Sequence, residues 1–152
     1  MRKTILFGIA CLGIGFVCNR YFCKKDTKNE RYFQWYKALY QWIVIQQDHG
    51  RISDYFKKNN YKSIAIYGMG ELGILLLKEL DDTDIEIPYV IDQNAGSIAV
   101  SSNKKVIMLK EIQENVDLIV VSVIDKFDAI KADIEKYADV PVVSLEDVLF
   151  SL

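Results

Sequence analysis

A chain of 152 residues accommodates one domain with a short extra segment, and at 51% hydrophobic residues it can fill a real core. Lys and Arg number 19 against 21 Asp and Glu, for a net charge of −2. No basic stripe interleaves with aromatics, so no nucleic acid is expected as a partner. The three cysteines, Cys11, Cys18 and Cys23, lack CxxC spacing and His49 is the single histidine, which excludes an expected metal site.

In chain order, Arg2 and Lys3 precede an apolar run from Thr4 to Cys18. Asn19 and Arg20 interrupt it, and Tyr21-Phe22-Cys23 resume it. As a helix, residues 4–23 would extend about 30 Å, one hydrocarbon core. The cysteines read as small hydrophobes in this setting, with lipidation of Cys23 as an alternative. A single-pass anchor, a cleaved signal peptide and a buried soluble helix compete for the segment. Small residues are poorly placed for cleavage. Arg20 can snorkel, and Tyr21 and Phe22 suit a membrane interface. Residues 1–25 are therefore expected to anchor the protein. Arg20, Lys24, Lys25, Lys28 and Arg31 stand against only Asp26 and Glu30 around the end of this run. That bias predicts a single pass through the inner (cytoplasmic) membrane, with the soluble domain in the cytoplasm.

Residues 26–60 read as an aromatic helical segment. From about Asn29 to Gln47, Phe33, Tyr36, Leu39, Tyr40 and Ile43 recur at helical spacing. Tyr32, Trp35, Trp42, Val44 and Ile45 widen the apolar surface beyond one stripe. Either these aromatics cover a face of the following sheet, or the surplus, notably Trp35 and Trp42, contacts another protein. A homodimer would be the simplest such contact. Gly50 is placed to end the helix, and His49 reads as a solvated helix-end residue. A second short helix is expected to turn Ile52, Tyr55 and Phe56 inward.

Residues 61–152 alternate strands and helices. Ile64–Tyr67 is a strand apolar throughout, as when both faces are covered. It stops at Gly68-Met69-Gly70-Glu71-Leu72-Gly73, a Gly-x-Gly-x-x-Gly turn, and a helix follows with Leu72, Gly73, Leu76, Leu77 and Leu80 on one stripe. Ile74 falls off that stripe and could meet the aromatic helix. Each glycine has a task in this pattern. Gly68 permits the sharp turn, Gly70 lets backbone approach phosphates, and Gly73 lets helix pack closely on strand. The helix N-terminus presents free N–H groups and partial positive charge to an anion. A carboxylate at Glu71 suits that dipole, yet would compete with a phosphate if it pointed inward.

Ile87–Ile91 is a second strand, with Asp92 and Gln93 directly after it. Asp92 lies about twenty residues past the last glycine, where a carboxylate accepts ribose hydroxyls and repels a 2′-phosphate. Asp92 also suits a solvated turn. The polar stretch from Gln93 to Lys105 has no convincing helix, so the crossover is shortened, and Val106–Met108 is a short third strand. Asp117–Ile124 is a buried strand with Ser122 near its carboxyl end, on the rim of the same crevice. A helix follows from about Lys126 to Tyr137, then a last strand from Pro141, which Ser144-Leu145-Glu146-Asp147 caps into a final helical turn. Pro141 suits an edge strand, and Pro88 a second strand that is edge-like because the third is short. Together they favour the order 3-2-1-4-5. The expected fold is α/β: a three-layer parallel sheet of Rossmann-like type with a short third strand, preceded by the aromatic helix and the N-terminal apolar helix.

The block Ile64–Leu80 with Val90-Ile91-Asp92 resembles small Rossmann-like modules associated with bacterial cell-surface polysaccharide biosynthesis. Tyr55-Phe56, Tyr61-Lys62-Ser63 and Ser144-Leu145-Glu146-Asp147 look similar too. The resemblance covers about residues 50–152. It implies NAD or a nucleotide-sugar as ligand, with Gly68, Gly70 and Gly73 as phosphate contacts and Asp92 as a ribose contact. It also implies an envelope context, with an envelope glycosyltransferase or sugar-modifying enzyme as partner. Met69, Glu71, Leu72, Gln93 and Ser122 complete the expected site. No catalytic residue is assigned, and because Leu152 comes just after the last strand no substrate domain is expected. The expectation is a membrane-tethered nucleotide-binding module. The alternatives are a ligand-free scaffold for protein contacts, or a minimal oligomeric oxidoreductase or epimerase-like enzyme.

Overall fold

The computed structural model describes residues 28–95 and 104–152. The expected membrane segment, residues 4–23, and most of the shortened crossover lie outside these residues. Among the described residues, no helix is long and apolar enough to cross a membrane. The chain divides into two compact units, residues 1–36 and 37–152. Of the first, residues 28–36 are helical, with Tyr32, Phe33 and Tyr36 exposed and Trp35 half-buried. This is the start of helix α1, residues 28–47.

The second unit is built on five parallel strands: β1 Ile64–Tyr67, β2 Tyr89–Ile91, β3 Lys105–Ile107, β4 Leu118–Val121 and β5 Val142–Ser144. Their order is β3-β2-β1-β4-β5, as the prolines and strand lengths predict. Ile66 is in register with Val90 on one side and Val120 on the other. β1 and β4 are buried at every position, which accounts for their unbroken apolar sequence. Pro141 precedes edge strand β5, and its carbonyl accepts the Ile119 N–H at 2.9 Å.

Alternation along the strands sends side chains to two layers. Ala65, Tyr67, Tyr89, Ile91, Ile119 and Val121 share one core with Ile130 and Ile134 of helix α4, Phe127–Ile134. The other face carries helices α2 (Ile52–Lys58), α3 (Glu71–Leu80) and α5 (Leu145–Phe150). α3 buries the expected Leu72, Gly73, Leu76, Leu77 and Leu80 against the sheet. α2 buries Ile52 and Phe56 and leaves Tyr55 half-buried. Ser144 Oγ caps α5 by accepting the Glu146 N–H at 3.1 Å.

The last part of α1, from Lys37 onward, takes a different phase from the sequence stripe. Its buried positions are Ala38, Trp42 and Ile45, whereas Leu39, Tyr40 and Ile43 are exposed. Trp42, for which the sequence left both an inward face and an external contact open, is 5% exposed, and its indole N–H donates to Glu79 of α3. The other Glu79 oxygen accepts the Ile52 N–H at 3.1 Å, so one carboxylate joins α1, α3 and the start of α2. Lys37 pairs with Glu146 at 3.2 Å and ties α1 to α5. The helix ends with His49, not Gly50, in the left-handed region at φ 60°. The His49 N–H donates to the Gln46 carbonyl and the Gly50 N–H to the Ile45 carbonyl, the paired bonds of a Schellman stop.

Candidate functional site

The crevice at the carboxyl ends of β1 and β4 is where the sheet order reverses. α3 leaves β1 toward one face, and the chain after β4 leaves toward the other. Gly68, Met69 and Gly70 form the turn after β1, and Gly70 is the N-cap of α3. Glu71, Leu72 and Gly73 form its first turn.

The three glycines are there for three different reasons. Gly68 has φ 92°, and a Cβ built on it would meet Val123 Cγ2 at 2.6 Å. Gly73 is pressed against the loop: a Cβ there would stand 1.9 Å from the Gly68 carbonyl oxygen. Both are fixed by the protein's own geometry. Gly70 is not. Its φ of −73° and ψ of −171° suit any residue. A Cβ built on it would meet nothing within 4 Å.

Ser122 lies beneath the loop, not on its rim. Its side chain is buried, and its hydroxyl donates to the Gly68 carbonyl at 2.7 Å and lies 3.1 Å from the Tyr67 carbonyl. That placement makes it a brace for the turn. β4 ends at Val121, three residues before the expected end at Ile124, and Ser122 follows it directly.

Asp92 follows β2 directly and reaches across to the loop. Its Oδ2 accepts the Met69 N–H at 2.8 Å, and its Oδ1 accepts the Asn94 N–H at 2.8 Å. The turn reading and the loop-facing reading thus coexist in one carboxylate. An ionised carboxylate offers about four acceptor positions, so two remain for hydroxyl donors. Gln93 is exposed, and its Nε2 donates to the Tyr67 hydroxyl at 3.3 Å. Burial pushes the Tyr67 hydroxyl above its ordinary pKa; the Gln93 hydrogen bond opposes this and the Asp92 charge adds to it. Tyr67, which motif reading passes over, is buried in the α4-side core, and its hydroxyl meets Gln93, the neighbour of Asp92. Strand alternation could have revealed it, since the last residue of β1 must point to the α4 side.

Met69 and Leu72 are buried, whereas Glu71 is exposed at the start of α3. Glu71 takes part in none of the ion pairs found among the described residues. Also among the described residues, no group of three or more His, Cys, Asp and Glu side chains is arranged to hold a metal ion. Compared with family models, with curated proteins and with solved structures, the chain finds no match.

Proposed function

We propose that residues 68–73, Asp92 and the crevice between β1 and β4 bind a nucleotide-type ligand with an unphosphorylated ribose, NAD or a nucleotide-sugar. The observation that carries this reading is Gly70. Neither its backbone conformation nor its surroundings require glycine. Asp, Asn or Ser would serve the helix better as N-cap. Close approach of a phosphate to the loop backbone accounts for the missing side chain. Asp92 supplies acceptor positions for ribose hydroxyls within reach of the same loop. The chain's own residues then bind and orient. The Gly70 N–H and the first N–H groups of α3 meet phosphate charge, since Gly68 and Met69 donate to Ile91 and Asp92, and Asp92 takes the ribose. No acid–base pair is assigned, so the role is binding in service of a partner enzyme. The N-terminal apolar run extends the proposal to a module tethered to the inner membrane and accessory to bacterial cell-surface polysaccharide biosynthesis.

Calorimetry of the full chain with NAD, NADP and UDP-sugars tests the reading. Binding of NAD or a UDP-sugar is expected, and Gly70→Asp is expected to abolish it while leaving the fold intact. The absence of heat at about millimolar ligand, far above typical cofactor affinities, would sink it.

A second reading has its own observation. Both Asp92 oxygens already accept backbone N–H groups, so the loop is self-sufficient without a ligand. This favours a ligand-free scaffold for protein contacts. Capture of an envelope glycosyltransferase that survives Gly70→Asp would favour it over the first.

A further inference from the structure

We infer that the outer face of α3 is a two-fold interface with a second copy of this chain. Glu71, Ile74, Leu75 and Lys78 recur at three- and four-residue spacing and form one outward stripe. Ile74 and Leu75 are 39% and 43% exposed, although α3 is otherwise a well-buried helix. Leu75 opens onto a groove of about 470 Å³ whose opposite wall is Leu39, Trp42 and Ile43 of α1. Leu39 and Ile43 are exposed as well, so the apolar surface spans two helices.

The charges name the occupant. Glu71 lies three positions before Ile74, and Lys78 lies three positions after Leu75. A two-fold axis passing between Ile74 and Leu75 sets two α3 helices antiparallel. It brings Glu71 opposite the partner's Lys78, and by symmetry Lys78 opposite the partner's Glu71. Ile74 then meets the partner's Leu75, and Leu75 the partner's Ile74, at the centre. An isologous contact demands self-complementarity of this kind. A parallel pairing would set Glu71 on Glu71 and Lys78 on Lys78. Within one copy the two charges are two helical turns apart, about 10 Å, and do not pair. Neither appears in an ion pair among the described residues. In the dimer the Glu71 carboxylate is drawn along the interface toward the partner's Lys78. This interface does not depend on a ligand at the glycine loop.

Sedimentation of the full chain in detergent tests the pairing, using Glu71→Lys and Lys78→Glu separately and mixed. The wild type is expected at twice the monomer mass. Each single variant faces like charges across the axis and should dimerise at least about tenfold more weakly. An equimolar mixture of the two variants restores both opposite-charge pairs and should recover a dimer, with the recovery fading at high salt. A monomeric wild type overturns the proposal, whether residues 1–27 or another protein covers the face. So do single variants that dimerise like the wild type, or a mixture that stays monomeric. Circular dichroism monitors folding. Should a charge variant fold poorly, Leu75→Glu replaces it: loss of the dimer supports the interface, and an unchanged dimer overturns it.

Discussion

Gly70 and Gly73 lie three residues apart, yet a side chain meets open space at one and a backbone carbonyl at the other. A Cβ at Gly73 would sit 1.9 Å from the Gly68 oxygen, and that oxygen is pinned by Ser122. The contact cannot relax by rotating a side chain, so helix and loop must part. Gly73→Ala is expected to destabilise by about 1–3 kcal/mol or more, read as a fall in the urea midpoint. The Gly-x-Gly-x-x-Gly spacing announced all three glycines, but only the packing separates the ones the fold needs from the one it does not. His49 offers the opposite change. It holds φ 60° at a helix stop where glycine is the usual occupant. A Cβ in that region costs on the order of 1 kcal/mol. His49→Gly should recover a few tenths to about 1 kcal/mol, less the extra unfolded-chain entropy of glycine. A melting temperature equal to or below that of the wild type would show that the imidazole contributes more than the backbone strain removes. Gly50 attracted attention in the sequence because it is the glycine. The turn is set one residue earlier by the two N–H bonds back to Gln46 and Ile45.

At the scale of elements, the buried face of α3 could be read from sequence and that of α1 could not, for one physical reason. α3 has one apolar stripe, and its buried residues are those the periodicity picks out. α1 is apolar nearly all round, so spacing alone does not fix its phase. The stripe through Leu39, Tyr40 and Ile43 faces outward, and Trp42 turns inward because Glu79 receives its N–H. That acceptor lies thirty-seven positions away in sequence, and no local pattern encodes it. The joint between β1 and β4 has a similar long-range acceptor. Asp117 Oδ2 accepts the N–H of Lys62 at 2.7 Å and of Ser63 at 2.9 Å. These bonds, Ser63 first and then Lys62, hold its carboxyl below the usual carboxylate range. A depressed folded pKa adds stability above the unfolded pKa of about 3.9, and that stability is lost as pH falls through the folded value. Asp117 is largely exposed, so the effect is small. Asp117→Ala should therefore melt slightly below wild type at about pH 7, with the gap closing as pH falls toward about 2. Thermal melts of both proteins across that range check it. A gap that persists in acid would mean that the side chain acts through packing and not through its charge.

For the whole molecule, sheet order does what no single motif does: it sets the glycine turn, Asp92 and the end of β4 around one crevice. The order was legible because proline placement and strand length constrain edges. The underside of the loop was not, since the Ser122 brace depends on where β4 stops pairing. A ligand held in that crevice touches elements from both layers, so its binding should register in global unfolding. A ligand at a hundred times its Kd adds about 2.7 kcal/mol, which in a unit of this size raises the melting temperature by on the order of 10 °C. NAD is expected to produce such a rise, and NADP a much smaller one, because the Asp92 charge opposes a 2′-phosphate. Asp92→Asn separates charge from geometry. Its amide oxygen can still accept the Met69 N–H that Asp92 Oδ2 receives, so the loop keeps its brace while the repulsion goes, and only the Asn94 N–H bond to Oδ1 is given up. The NAD shift should fall and the NADP shift should rise, narrowing the gap between them. Thermal melts of both proteins with both nucleotides decide the matter. Equal shifts for NAD and NADP in the wild type would remove Asp92 from the ribose, and an unchanged gap in Asp92→Asn would place the discrimination elsewhere in the crevice.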